Sequence, residues 1–157
     1  MLQGDEPLLL PRHLDALVDS IILKPKGDAW NATAPIENME ELDRHSFVKC
    51  AVNKKNNIMF CFRRSPLYST FEKQSLIIRK ILGLIAYEKN FLIQLNELEP
   101  TPIEIDESIE QMRMIENGYE VTSVAVYPSL PSVNEPAEAD IVLNYIKNNE
   151  NKLIENK

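Results

Sequence analysis

STFEKQSLIIRKILGLIAYE, residues 69–88, holds the longest apolar run of the chain, Ile81 to Tyr87 with Gly83 inside it. Ser69 and Glu72 are spaced as a capping box ahead of that run, which predicts a helix continuing to about Glu88. On a helical wheel Phe71, Leu76, Ile77, Ile78, Ile81, Leu82, Leu84 and Ile85 cover most of the circumference. Glu72, Lys73, Arg79, Lys80 and Gly83 leave a narrow polar strip. A helix that is apolar nearly all round is buried on most sides, so this segment is expected to be the centre of the fold.

Upstream, KCAVNKKNNIMFCF (residues 49–62) reads as a β-hairpin. Two short runs rich in Val, Ile, Phe and Cys flank the polar residues 53–57. Pairing Val52 with Ile58 sets Cys50 against Phe60 and Val48 against Phe62, and gives the ribbon one wholly apolar face. A shift of one residue sets Cys50 opposite Cys61, but also Lys49 against Phe62. Because a slip exchanges the faces of every side chain, burial of one face favours the first register. Cys50 and Cys61 are then expected on opposite sides, as two independent thiols.

Elsewhere, Pro11 opens a helix whose Leu14, Leu17, Val18, Ile21 and Ile22 recur at helical spacing. Residues 24–35 read as a loop carrying Trp30. Phe91, Ile93 and Leu95 alternate as in a strand, and Ile103-Glu104-Ile105 reads as a short edge strand. Asp106 is placed to cap a helix through Ile115, which Asn117-Gly118 ends. Tyr119 to Tyr127 is β-branched and aromatic, the pattern of a strand, and a last helix follows from about Glu135. The expected class is α+β: one domain over residues 1–150, with about four mainly antiparallel strands packed on the long central helix (about 70–88). Helices stand at both ends, and residues 151–157 form a frayed polar tail. As an order of elements only, this layout resembles the roadblock and longin-like adaptor folds and, loosely, the acidic dimeric chaperones of type III secretion.

The chain has 157 residues, 44% hydrophobic and 26% charged, with a net charge of −7. Residues 1–80 hold 12 Lys/Arg against 10 Asp/Glu, and residues 81–157 hold 5 against 14. A surface of that sign repels phosphate backbones, so no nucleic-acid partner is expected. No run is long enough to span a bilayer. With neither a signal-peptide core nor a credible disulfide, a cytoplasmic location is expected. Asn31-Ala32-Thr33 matches a glycosylation acceptor, which has meaning only in a secreted chain.

Chemistry-bearing residues are sparse. The four glycines form no phosphate-binding loop, and His13 and His45 have no cysteine or second histidine at ligand spacing. No cofactor, metal or catalytic group is therefore expected. A Cys61–His45 pair would need a lowered thiol pKa that a mid-strand position does not supply. Glu104, Asp106, Glu107 and Glu110 read more simply as helix-start carboxylates than as an acid–base pair. RRSP, residues 63–66, reads as a basic strand end leading into a turn, the alternatives being a phosphorylation site or an arginine clamp for an anion. Trp30 reads either as core cover or as an anchor for a partner.

These features predict a non-catalytic adaptor or interaction module, a subunit of a complex that binds a protein partner of basic character or pairs with itself through a sheet edge. The expected contact residues are Trp30, Lys49, Met59, Arg63, Arg64, Glu104, Glu107 and Glu110. Two alternatives are an acidic inhibitor or chaperone that occludes a basic partner, and a small enzyme using carboxylates or Cys61.

Overall fold

In the computed structural model, which describes residues 1–155, the segment that decides the fold is not a helix. The turn announced by Ser69 and Glu72 ends after Phe71–Gln74. There the buried Gln74 amide donates to Ser69 O at 2.6 Å and accepts from Ser65 Oγ at 2.6 Å. Residues Ile78–Tyr87 then form a ten-residue strand with Ile78, Lys80, Leu82 and Leu84 alternately buried. This strand is hydrogen-bonded along both edges and covered on both faces. Strands in such a position carry near-continuous apolar runs, which periodicity does not separate from a buried helix.

In chain order the elements are α1 (Pro11–Leu23), β1 (Ala29–Pro35), α2 (Met39–Asp43), β2 (Lys49–Val52), β3 (Ile58–Phe62), α3 (Phe71–Gln74), β4 (Ile78–Tyr87), α4 (Lys89–Leu95), α5 (Pro102–Glu107), α6 (Gln111–Glu116) and β5 (Val121–Ala125). A 3-10 turn (Pro136–Glu138) then leads into α7 (Ala139–Glu155). The sheet has five strands in the order β3-β2-β4-β1-β5. It is mixed, because β1 runs parallel to β5 while its other pairings are antiparallel. The expectation of about four mainly antiparallel strands around a long helix is therefore corrected. Residues 24–35, read as a loop, contain the inner strand β1. Residues 91–95 belong to α4, and 103–105 to α5. The terminal helix α7 carries the backbone of residues 151–155, and residues 156–157 of the expected tail lie outside the described residues.

One face of the sheet packs Cys50, Cys61, Ile85 and Val121 against Phe91 of α4 and Met112 and Met114 of α6. The opposite face packs Trp30, Leu82, Leu84 and Val124 against Leu17 of α1. Ile78 and Phe62 lie with Leu42 of α2.

The hairpin takes the register that one-face reasoning disfavours. Val52 does pair with Ile58, but a bulge follows, so that Ala51 pairs with Phe60, Cys50 with Cys61 and Lys49 with Phe62. Met59 is the extra residue and is half exposed. The premise of a single buried face fails because helices cover both. Lys49 is fully buried, and its Nζ donates to Arg44 O at 2.6 Å. The two cysteines point to the same side, buried and free, and burial pushes the Cys50 thiol up to about 12 and the Cys61 thiol well above its ordinary value.

Candidate functional site

Five segments distant in sequence, together with Arg63, converge on one polar cleft of about 660 Å³. One wall is the start of the chain, residues 3–6, which lies against the middle of β4. Gln3 N donates to Gly83 O at 2.8 Å, and Gly83 N donates to Glu6 Oε1 at 2.9 Å. A Cβ at Gly83 would stand 2.5 Å from Gln3 Oε1 and 3.0 Å from Glu6 Cγ, so only glycine allows this close approach. Desolvation raises the Glu6 carboxyl above its usual range, against the lowering effect of the Gly83 amide. Asp5 Oδ1 is buried without a hydrogen-bond partner, while Asp5 O accepts from Val133 N at 2.8 Å and ties down the fifth segment, residues 132–135.

The opposite wall is the turn between α5 and α6. Ser108 adopts a left-handed conformation (φ 54°), which ends α5 and delivers Glu110 and Gln111 to the cleft. Arg63 holds this turn in place. Its Nε donates to Glu107 O at 2.8 Å and its terminal nitrogens donate to Ser108 O and His45 O, while Arg63 N donates to Glu107 Oε2 at 2.9 Å. Lys80 reaches the cleft from β4, with its Nζ 3.3 Å from Glu41 Oε1 and 4.8 Å from the Phe47 ring centroid. Carboxylates thus stand on both walls of a solvent-open cavity to which Lys80 adds a cation, a lining suited to a small polyhydroxylated, charged ligand. Among the described residues, no group of three or more His, Cys, Asp or Glu is placed to hold a metal ion.

Of the residues expected to form a contact surface, Arg63, Glu107 and Glu110 meet at this turn. Arg63 and Glu110 line the cleft, and His45 joins them. Trp30 and Lys49 are buried, on strands β1 and β2, and Met59 and Arg64 are exposed. Glu104 is buried in a bidentate pair with Arg113 and also accepts from Thr101 N at 3.1 Å. The Arg113 hydrogen bonds hold its carboxyl below the usual range despite burial. Replacing Glu104 with Gln is expected to cost about 2 kcal/mol at pH 7, because Arg113 loses its counter-charge. A depressed carboxyl contributes fully above its unfolded value and loses that contribution as pH falls through the folded one. Urea unfolding should therefore show the gap between wild type and variant persisting at pH 7 and closing below about pH 4.

Asp5, Glu6, Lys80, Gln111 and Asn134 were not legible as a group, since no fixed spacing links them. The one local mark was Gly83 inside an apolar run, which in a strand signals close approach of another segment.

The family model described as Cytidylyltransferase matches residues 1–123. A 3-deoxy-manno-octulosonate cytidylyltransferase of Fusobacterium nucleatum subsp. nucleatum is 32% identical over 154 residues, covering 97% of this chain and 62% of that protein. Proteins of the same name from Chlorobium limicola and Protochlamydia amoebophila are 30% and 29% identical, over 90% and 87% of this chain and 58% and 54% of theirs. A solved CMP:2-keto-3-deoxy-manno-octonic acid synthetase complexed with CTP superposes with a TM-score of 0.83 at 26% identity, covering 94% of this chain and 60% of that one. The chain therefore spans a little over half the length of these relatives.

These matches overturn the expectation of a non-catalytic adaptor or complex subunit with a protein partner, since the relatives are enzymes. Of the three readings, the enzyme alternative is the one they favour. Within it Cys61 has no place, being buried with an elevated pKa and away from the cleft lining. No helix among the described residues is long and apolar enough to cross a membrane. With a family model matched over residues 1–123 and relatives that carry one name, the chain belongs to the cytidylyltransferase family.

Proposed function

We propose that the cleft binds an acidic sugar of the 3-deoxy-manno-octulosonate class as the acceptor for cytidylyl transfer. The observation that carries this reading is the polar cleft itself, walled by Asp5 and Glu6 on one side and by Glu110 and Gln111 on the other. Sugar hydroxyls donate to such acceptors, and the Lys80 ammonium favours a ligand carboxylate. In the transfer, a sugar hydroxyl oxygen forms a bond to the α-phosphorus of a cytidine triphosphate. The bond from that phosphorus to the bridging oxygen breaks, pyrophosphate leaves, and the hydroxyl proton passes to solvent or a nearby carboxylate. Chemistry of this kind is accelerated chiefly by positioning and charge stabilisation, so a cleft built against a central strand suits it. A cytoplasmic setting belongs to the same reading and is supported by the two free, buried thiols.

Isothermal titration with 3-deoxy-manno-octulosonate tests it. Saturable binding is expected, weakened about tenfold in Gln111→Leu, the scale of one lost hydrogen bond. Arg64→Ala, at an exposed residue outside the cleft lining, should leave it unchanged. No measurable binding by the folded wild type, or equal binding by Gln111→Leu, would overturn the assignment.

A further inference from the structure

The inner strand β1 contains an irregularity beside the cleft. Asn31 pairs with Ile85 and Thr33 with Ile81, so two steps along β1 answer four along β4. The fully buried Asn31 side chain fills the mismatch. Its Nδ2 donates to Leu82 O at 2.9 Å, to Ala32 O at 3.0 Å and to Leu84 O at 3.3 Å. Three carbonyl oxygens around one amide nitrogen leave no freedom to exchange it with Oδ1, because an oxygen there would meet acceptors only. Asn31 Oδ1 must therefore point away from β4, where it lies 2.9 Å from Gln111 Nε2. An acceptor at that place admits only the nitrogen of the Gln111 carboxamide. The Gln111 oxygen is then the end left for the cleft that this residue lines.

We propose that Asn31 is a positioning residue that fixes the Gln111 carboxamide with its oxygen presented to the cleft, so that Gln111 accepts a hydrogen bond from a ligand hydroxyl. The Asn31-Ala32-Thr33 tripeptide thus has an internal use, with both Asn31 and Thr33 wholly enclosed in the sheet. The ligand half of this proposal rests on the sugar-binding reading, and the orientation half does not.

The experiment is nuclear magnetic resonance of the ¹⁵N-labelled full chain, with the Gln111 side-chain amide assigned by its disappearance in Gln111→Leu. In the wild type these protons should exchange with solvent at least tenfold more slowly than those of an exposed glutamine, and in Asn31→Ala the protection should vanish. Unprotected Gln111 protons in the wild type overturn the proposal whether or not any sugar binds, and that readout stands even where Asn31→Ala fails to fold. Titration with 3-deoxy-manno-octulosonate adds a second arm. Asn31→Ala should weaken binding about fivefold to tenfold in the wild-type background and have no further effect in Gln111→Leu. A loss that adds in full to that of Gln111→Leu would reduce Asn31 to a structural stitch and overturn its positioning role. Absence of sugar binding alongside protected Gln111 protons would sink the functional reading and leave the orientation intact.

Discussion

Replacing Trp30 with alanine should lower the unfolding free energy by about 3–5 kcal/mol, the range for removing a large aromatic from a packed interior. Trp30 is 2% exposed and packs among Leu17, Leu82, Leu84 and Val124 on the face covered by α1. The fit around it is close, since a Cβ at Gly27 would come within 2.8 Å of the indole ring. The indole Nε1 is buried without a hydrogen-bond partner. Trp30→Phe removes no bond and should therefore cost far less, about 1 kcal/mol. Guanidinium unfolding of the two variants, compared at equal m-value, checks both numbers. A tryptophan displayed as a partner anchor would give a different result, with Trp30→Ala changing stability by less than about 0.5 kcal/mol.

The same residue marks the limit of what the chain discloses before folding. Trp30 lies between Lys24-Pro25-Lys26-Gly27 and Pro35, which looks like loop composition, and Ala, Asn and Thr dominate the strand itself. Small side chains are what β1 needs, because it is enclosed by β4 and β5 with helices over the sheet faces. By contrast α1 begins at Pro11, as its proline and its apolar spacing indicate. β5 falls within the β-branched segment 119–127, because there the local pattern and the burial agree. In β4 they agree as well, but the pattern has two physical solutions. Only the paired edges, formed with residues 27 or more positions away, decide for the strand.

The cleft was illegible for a related reason. Its chemistry is divided among residues 3–6, 45–48, 63, 80–83, 108–111 and 132–135, each contributing one to three polar groups. The acidic stretch around Glu104 to Glu110 was visible, but three of the four carboxylates in those seven residues have three different uses. Glu104 pairs with Arg113, Glu107 accepts from the Arg63 backbone, and Glu110 faces the cleft. Neutralising all three, which a surface role would tolerate, should instead loosen the α5–α6 turn.

Lys49 gives the second large effect, one that depends on pH. Its ammonium group is fully buried, and burial lowers its pKa to about 8 against the lesser raising influence of Asp43. Arg63 acts in the same direction as burial, and Glu107 against it. Between about pH 8 and pH 10.5 the unfolded chain binds a proton at this site that the folded chain has released. Stability from Lys49 therefore rises with pH across that window and is lowest, with both states charged, below it. A difference of this size corresponds to about 3 kcal/mol at most. Lys49→Met keeps the aliphatic packing against Phe62 and removes the charge, at the cost of the hydrogen bond to Arg44 O, about 1 kcal/mol. The variant should therefore be about 2 kcal/mol more stable than the wild type at pH 7 and about 1 kcal/mol less stable near pH 10.5. Tyrosine and cysteine titration is common to both proteins and cancels in the difference. Urea unfolding of the pair at four values between pH 7 and pH 10.5 should show that crossing. A gap that stays constant with pH would mean that Lys49 keeps its proton throughout, held by Asp43 and Glu107 rather than stripped by burial.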